Sequence, residues 1–562
     1  MAKTFLDSGD IFTSATSNTI FYGSSGLDSV IILAGVSNNT FDQNVDRVSF
    51  SVVKSAYLYQ QTGNILNMYS GTTFIAKMVL QNDADGTQLS FGDGVVSATI
   101  AYDAAQGKAV MKVGGAVVAD SAPSALGSTT PASSIVVAQA NALSAYNLTI
   151  GNLLTTSDAA VIGVNAAQKW GVTSLTYSFN TQIPSDYVGN SALTANWSPV
   201  NTAEKTAIAK VFVTLAGFIP VRFTETAGQT GDIRFNVVNM GAQTAGFAYY
   251  PGTGLQGDVW LSLATHNTAQ YYDDNHYGSS VVIHEIGHAM GLKHSFEAPT
   301  VPVGTDNTDY TVMSYTNVRD VVPIFTVANN TARYTLEANA SNGYAMDDIA
   351  TLQALYGANR QTATGNNTYT VSSRAYEHLT IWDAGGTDTI NAASATGAST
   401  INMRAGTLST IDLWPLAEQQ AATIATLAAQ GYRNDSFIAS VYSGSQSATI
   451  YTGLNNLAIA YGVVIENVTT GSGNDIVTDN AVDNVITTGN GDDVIFLGAG
   501  GYDTVDGGAG VDTVNLLSVN RSQVQQERQT DNSLLIVSNG FAAKLIGIEK
   551  IMTLDGALTM VA

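Results

Sequence analysis

Between residues 470 and 515 the chain repeats every nine residues, and no other feature constrains the fold as tightly. TGSGNDIVT (470–478), DNAVDNVIT (479–487), TGNGDDVIF (488–496), LGAGGYDTVD (497–506, one residue longer) and GGAGVDTVN (507–515) follow the pattern G-G-x-G-x-D-x-U-x. That pattern is the signature of a calcium-binding parallel β-roll. Glycines make the tight turns, an acidic or amide side chain meets the ion, and one β-branched residue per turn points inward. The inward residues are Val477, Ile486, Ile495, Val505 and Val514. A glycine-rich linker would not keep both residue types in register. Asp475, Asp493 and Asp512, with Asn484 substituting once and Asp503 displaced by the extra residue, are the candidate calcium ligands. They offer the oxygen donors that this hard cation takes. IWDAGGTDTI (381–390) and GSSGLDSVI (23–31) read as isolated turns of the same kind.

Charge and cysteine usage agree with a cation-stabilised chain. With 22 Lys+Arg against 45 Asp+Glu the net charge is −23, which disfavours nucleic acid and anionic membrane as partners. There is no cysteine, so disulfides cannot be the stabiliser. The opening MAKTFLDSGDIFTSATSNTIFYG has no basic region followed by an apolar core, so it is not a Sec-type signal. No apolar run approaches the ~18 residues of a transmembrane segment.

The 562 residues exceed a single hydrophobic core. The texture predicts a multidomain chain. Residues 1–120 read as an all-β domain of hairpins in a sandwich or roll, with short apolar alternations broken by Gly-containing turns. Residues 121–165 read as a linker region; SAPSALGSTTPASS (121–134) is small and polar, and 135–165 has no assigned structure. Residues 166–358 mix strands (174–180, 232–238, 257–263) with a helix over 201–217, capped by Asn201 and Glu204, and another over 346–357. This is an α/β (α+β) pattern. Residues 359–562 return to β patterning as a parallel β-roll or sandwich, interrupted by an alanine-rich helical stretch at 415–432.

Only six histidines occur in the chain, and three of them fall in HEIGHAMGLKH, His284–His294. Histidines at i and i+4 share one helical face, so His284 and His288 can present two nitrogens to one ion. Glu285 stands beside them. Gly291 allows a sharp turn, after which His294 can return as the third ligand. Three neutral imidazoles leave a position open, as a catalytic zinc requires. The whole pattern, H-E-x-x-H-x-x-G-x-x-H with a later Met-turn, is the metzincin signature; from this composition it arises by chance about once in a million such chains. Here the turn is TVMSY, with Met313 nineteen residues after His294, and Tyr315. A methionine alone is usually core; its position raises it. His266, His276 and His378 have no comparable spacing and read as surface or loop residues.

From about residue 170 onward the chain resembles the serralysins, secreted bacterial zinc endopeptidases of the metzincin clan. HEIGHAMGLKH, TVMSY, GFAYYPGTGLQGDVWLS, MDDIATLQALYGAN, TIWDAGGTDTI and the nonapeptide repeats carry the resemblance, in the family's order. It implies one catalytic zinc on His284, His288 and His294, with Glu285 as general base. It implies that Tyr315 is a further zinc ligand at rest, which moves away to stabilise the oxyanion, and that Met313 lies beneath the metal. An extended protein or peptide substrate would lie along an edge strand formed by Ala245, Gly246, Phe247, Ala248 and Tyr249. The resemblance also implies several structural calcium ions and export by a type I secretion exporter, guided by an uncleaved C-terminal signal, to the outside of a bacterial cell. The family's short propeptide is replaced here by about 165 residues. They read as a pro-domain, a module binding a surface polymer or protein, or a spacer; the 121–134 stretch would hold an inhibitor loosely, which favours the module over an inhibitory pro-domain. The rival function is a calcium-binding surface or adhesive protein with a non-catalytic protease domain. Decay of that kind usually removes a ligand or the glutamate, and all are present.

Overall fold

The computed structural model describes residues 2–561 except 7–10, 15, 24–27, 33–35, 51, 53, 72, 81–86, 92–93, 104–107, 121–122, 125, 127–152, 156, 242, 253–254, 264–275, 319–320, 330, 342, 517 and 539. It comprises two compact units, one of residues 149–476 and one of residues 1–148 with 477–562. Among the described residues no helix is long and apolar enough to cross a membrane.

In the first unit, the strand Ser174–Phe179 pairs in parallel with Arg222–Thr226 on one side and Ile233–Val238 on the other. Val259–Ser262 extends the sheet in parallel, and Gly246–Ala248 adds an antiparallel edge. The helix Thr202–Phe218 covers this sheet. Its start is fixed by a capping box: Asn201 accepts from the Glu204 backbone N–H and Glu204 from that of Asn201, which satisfies two otherwise orphaned donors. Its buried stripe, Ile208, Val211, Phe212 and Leu215, faces the sheet. Phe212 stacks on Tyr177 and Phe223 at centroid distances of 4.5 and 4.7 Å. A second helix, Tyr277–Ala289, carries the histidine motif, and a third, Met346–Tyr356, ends at Gly357 with φ of +87°. The stretch 135–165, unassigned from sequence, contains a short helix at Ala159–Val164; most of the remainder lies outside the described residues.

Two elements of this unit have no counterpart in the sequence reading. After the Met-turn the chain forms an antiparallel hairpin, Val321–Ala328 with Thr331–Ala338. The alanine-rich stretch is one helix, Leu416–Ala429, as expected, and a second helix, Asp435–Ser443, follows it. Asn434, whose side chain accepts from Phe437 N, starts the second helix just after Gly431 ends the first with φ of +89°. The hairpin and the helices bury a common cluster: Ile438, Val441 and Tyr442 pack with Phe325 and Val327.

Inside the second unit the repeats form parallel coils. Val485–Thr487, Tyr502–Asp506 and Phe541–Ile546 stack on one face, and Val494–Phe496, Thr513–Leu516 and Lys550–Thr553 on the other. Val477, Ile486, Ile495, Val505 and Val514 are completely buried, as the period predicts. The first 50 residues overturn the hairpin expectation. Ile11–Ser14, Ser29–Ile32 and Arg47–Phe50 pair in parallel, as do Ala2–Phe5, Thr19–Tyr22 and Asn39–Phe41. Alternation has the same period in parallel and antiparallel strands, so it could not decide between them. Asp28 N donates to Asp46 Oδ2 at 2.8 Å, eighteen residues on. Asp493 N donates in the same way to Asp512 Oδ1 at 3.0 Å in the repeats. The motif at 23–31 therefore leads into a coil of this kind, with 24–27 outside the described residues. Only beyond residue 57 do antiparallel hairpins follow, from Leu58–Thr62 with Ile65–Ser70 onward.

Candidate metal centre and active-site cleft

The helix Tyr277–Ala289 is held in place mainly at its C-terminal end. Trp170 Nε1 donates to Ala289 O at 2.9 Å, Tyr356 Oη to Met290 O at 2.8 Å and Tyr344 Oη to Ile283 O at 3.0 Å. The first two satisfy carbonyls that the helix end otherwise leaves open, and the third adds a bond to a carbonyl in mid-helix. The chain then turns at Gly291, where φ is +101° and a Cβ would lie 2.1 Å from Gln168 O. Conformation and space both require glycine there. Lys293 is buried, and its Nζ donates to the carbonyls of Gly163, Glu297 and Pro299 at 2.6, 2.6 and 2.8 Å. This staple fixes the loop that returns His294.

The three imidazoles converge. His294 Nε2 lies 3.3 Å from His284 Nε2 and 3.2 Å from His288 Nε2. Each Nδ1 is occupied elsewhere: that of His284 donates to Val312 O at 2.8 Å, that of His288 to Leu292 O at 2.7 Å and that of His294 to Glu297 Oε1 at 2.8 Å. A donating Nδ1–H leaves the Nε2 lone pair as the free ligand. Burial pushes His284 down to about 4 and His288 down to about 3, so both are neutral at physiological pH. Three converging Nε2 atoms, each with its Nδ1 donating elsewhere, fit zinc. Tyr315 Oη lies 2.9 Å from His294 Nε2 on a largely exposed side chain. The fully buried Met313 packs its sulfur against Gly287 of the helix.

Glu285 is 5% exposed, and its Oε2 has no hydrogen-bond partner. Burial raises its carboxyl to about 8. The backbone of Gly246 approaches so closely that a Cβ there would lie 2.9 Å from Glu285 Oε1. The strand Gly246–Ala248 thus borders the carboxylate, and no other strand covers its outer edge among the described residues. Ala245 and Tyr249 flank it, continuing its pairing through Ser262 N to Ala245 O and Tyr249 N to Asp258 O. The edge strand, Glu285, His284, Tyr315 and the Met-turn together line a cleft of about 480 Å³.

Sequence reasoning missed the residue that holds the Met-turn. Asp348 is fully buried and accepts from Thr311 Oγ1 at 2.5 Å, Val312 N at 2.8 Å and Ala345 N at 3.0 Å. Its one sequence signal was the doubled acid of MDDIATL at a helix start. His378 is a loop residue, as expected, between Ser373–Ala375 and Leu379–Ile381, but it is half-buried, accepts from Asn339 Nδ2 at 3.1 Å, and lines the same cleft. His276 stands at the N-terminal boundary of the motif helix, and His266 lies outside the described residues.

The predicted calcium ligands accept backbone hydrogen bonds from neighbouring turns, in each case within one unit. Asp503 Oδ1 accepts from Asn484 N at 2.9 Å, Asp512 Oδ1 from Asp493 N, and Asp475 Oδ1 from Ser399 N at 2.6 Å. The Oδ2 atoms of Asp388, Asp503 and Asp512 are buried without a hydrogen-bond partner. Orphaned carboxylate oxygens on glycine turns fit calcium, which takes oxygen ligands. Asn484 differs, since its side chain exchanges hydrogen bonds with Asn480, accepting from its N–H and donating to its Oδ1. Glu549 Oε2 and Glu466 Oε2, both missed from sequence, accept in the same way from Asp512 N and Asp388 N at 2.8 and 2.7 Å, each within its own unit.

Two family profiles match the chain. Matrixin, of the M10 peptidases, matches residues 169–305, and the Peptidase M10 serralysin C terminal profile matches 416–534. The chain is 31% identical over 267 residues to Metallopeptidase AprA of Pseudomonas marginalis, covering 43% of this chain and 54% of that protein. It is 30% identical over 197 residues to Serralysin B of Dickeya chrysanthemi, covering 31% and 38%. Serralysin of Proteus mirabilis is 30% identical over 188 residues, covering 29% and 35%. The chain thus spans about half, or less, of the length of these relatives. A metzincin-type catalytic domain joined to a serralysin C-terminal domain defines the class. Over these stretches the chain is similar to serralysins and to matrixin-type M10 metallopeptidases.

Proposed function

We propose that the protein is a secreted zinc endopeptidase that hydrolyses peptide bonds in extracellular proteins. The observation that carries this reading is the convergence of three Nε2 atoms, each tautomer set by its own Nδ1 partner, beside a buried glutamate and an open strand edge. His284, His288 and His294 would hold zinc, which supplies Lewis acidity that lowers the pKa of water towards about 7. The substrate backbone pairs with residues 245–249, which binds extended peptides with little demand on sequence. Glu285 takes the proton of the attacking water and passes it to the leaving amine. A cation at the imidazoles favours its ionised form, which burial alone disfavours. The Tyr315 hydroxyl, resting beside His294, swings to donate to the developing oxyanion. Met313 forms the floor.

Calcium held by Asp475 in one unit and by Asp493, Asp503 and Asp512 in the other stabilises the repeats, in a chain exported by a type I exporter through a C-terminal signal. Residues 1–120 act as a module for a surface polymer or protein, 121–165 as its tether, 166–358 as the catalytic domain and 359–562 as the calcium-binding roll. No observation favours the non-catalytic reading. The test is zinc content with casein cleavage in calcium, for the full chain. Stoichiometric zinc and cleavage that stops on zinc removal are expected; no bound zinc and no cleavage would refute the peptidase reading.

A further inference from the structure

At one part of the candidate cleft stands a carboxylate that the chemistry described above does not use. Asp309, four residues before Met313, lines the same cleft as His284, Glu285 and Tyr315. Its backbone is fixed: Asp309 N donates to Asn307 Oδ1 at 3.0 Å, and the adjacent Thr308 N donates to Thr316 O at 3.0 Å. Its Oδ2 accepts from Asn455 Nδ2 at 2.7 Å. That neutral amide orients the carboxylate without neutralising it.

Among the described residues lining the cleft there is no lysine or arginine. The one other titratable base there besides His284, His378, is kept uncharged by burial, which lowers it to about 4. A second carboxylate lies behind: Asp347 is buried, and its Oδ1 accepts from Tyr461 Oη at 3.1 Å. Burial, then the charges of Asp309 and Asp347, raise the Tyr310 hydroxyl above its ordinary value. This part of the cleft is therefore anionic. Burial pushes Asp309 itself up to about 6, so near neutral pH it is mostly charged in surroundings that solvate it poorly. An incoming ammonium or guanidinium supplies the missing partner, and a charge-assisted hydrogen bond in such a site outweighs its equivalent in water.

We propose that Asp309 is a specificity-determining residue that selects a lysine or arginine side chain of the substrate in this cleft. The inference rests on the peptidase reading and adds a substrate class to it: extended polypeptides carrying a basic residue at one fixed position from the scissile bond. Backbone pairing along 245–249 is indifferent to side chains, so this contact supplies the discrimination. A site built to pair a charged group rejects a neutral analogue strongly, because its own charge is then left buried and unpaired.

The experiment digests an unfolded protein mixture with the zinc- and calcium-loaded full chain and maps the cleavage sites by mass spectrometry. Lysine and arginine are expected to be enriched at one position relative to the cut. Matched peptides with lysine, glutamine or glutamate at that position then give ratios of kcat/KM within each protein. Asp309→Asn keeps an oxygen for Asn455, and is expected to reduce the lysine-to-glutamate ratio by about tenfold or more. Cleavage with no basic enrichment by the unaltered protein overturns the proposal without needing any variant, as does an equal ratio in Asp309→Asn. Absence of cleavage altogether overturns instead the peptidase reading beneath it.

Discussion

Replacing Asp348 by alanine should loosen the Met-turn and, through it, the metal centre. The carboxylate is fully buried and satisfies three donors, the Thr311 hydroxyl and the backbone N–H groups of Val312 and Ala345. Alanine leaves all three without a partner. Each stranded buried donor costs about 1–3 kcal/mol; allowing for relaxation and water entry, the sum is about 3–5 kcal/mol. In a domain of ~200 residues this lowers the midpoint by about 6–20 °C. The effect also reaches the site, because Val312 O orients His284 through its Nδ1. Loss of such an orienting partner weakens metal binding by about 10–100-fold. Scanning calorimetry and zinc competition against a chelator measure the two effects. A midpoint within ~2 °C of the unaltered protein would refute the assignment.

The same residue predicts a pH dependence. Burial raises Asp348 to about 7, against hydrogen bonds that lower it. An unfolded aspartate titrates near ~3.9. Between those values the folded state holds a proton that the unfolded state has lost, so this residue's contribution makes stability fall as pH rises from about 4 to about 7. Asp348→Asn can accept from both N–H groups through Oδ1 and donate to Thr311 through Nδ2. It should therefore keep most of the stability and flatten that slope.

Further outcomes follow from other parts of the structure. Tyr315→Phe should keep zinc on three histidines and reduce turnover more mildly than loss of the base; metal loss in that variant, by elemental analysis, contradicts the assigned role. Gly291→Ala places a Cβ 2.1 Å from Gln168 O at φ of +101°, so it should displace the His294 loop and lower zinc occupancy; unchanged zinc affinity argues against the turn's importance. Calcium chelation with EGTA should unfold 470–515 first and lower the thermal midpoint while the zinc helix survives; identical far-UV circular dichroism and proteolysis patterns with and without calcium would remove the case for the roll.

Legibility in the sequence followed periodicity and short-range spacing. The nine-residue period placed Ile486 and Val505 in one stack, and the extra residue in 497–506 appears as the nineteen-residue step from Thr487 to Asp506. Asn201 and Glu204, three residues apart, announced their helix. The histidine window was legible because its spacing is helical until Gly291 breaks it. What was hidden depends on contacts across long separations. Nothing local in MDDIATL says that Asp348 turns in to the Met-turn, thirty-six residues from its partner Val312. The hairpin 321–338 was masked by Pro323 within its first strand, a residue that usually argues against a strand. At the N-terminus, alternation fitted hairpins and parallel coils equally, and only the eighteen-residue contact from Asp28 to Asp46 separates them.

The central claim is that three histidines and one glutamate divide metal binding from proton transfer, and the Glu285→Ala protein tests it most directly. Zinc stoichiometry by elemental analysis and cleavage of a quenched fluorescent peptide in calcium are measured side by side with the unaltered chain. The prediction is one zinc per chain in both proteins, with cleavage reduced by about 10²–10⁴-fold in the variant. Substantial cleavage by Glu285→Ala, or an unaltered chain that holds no zinc, would contradict the account.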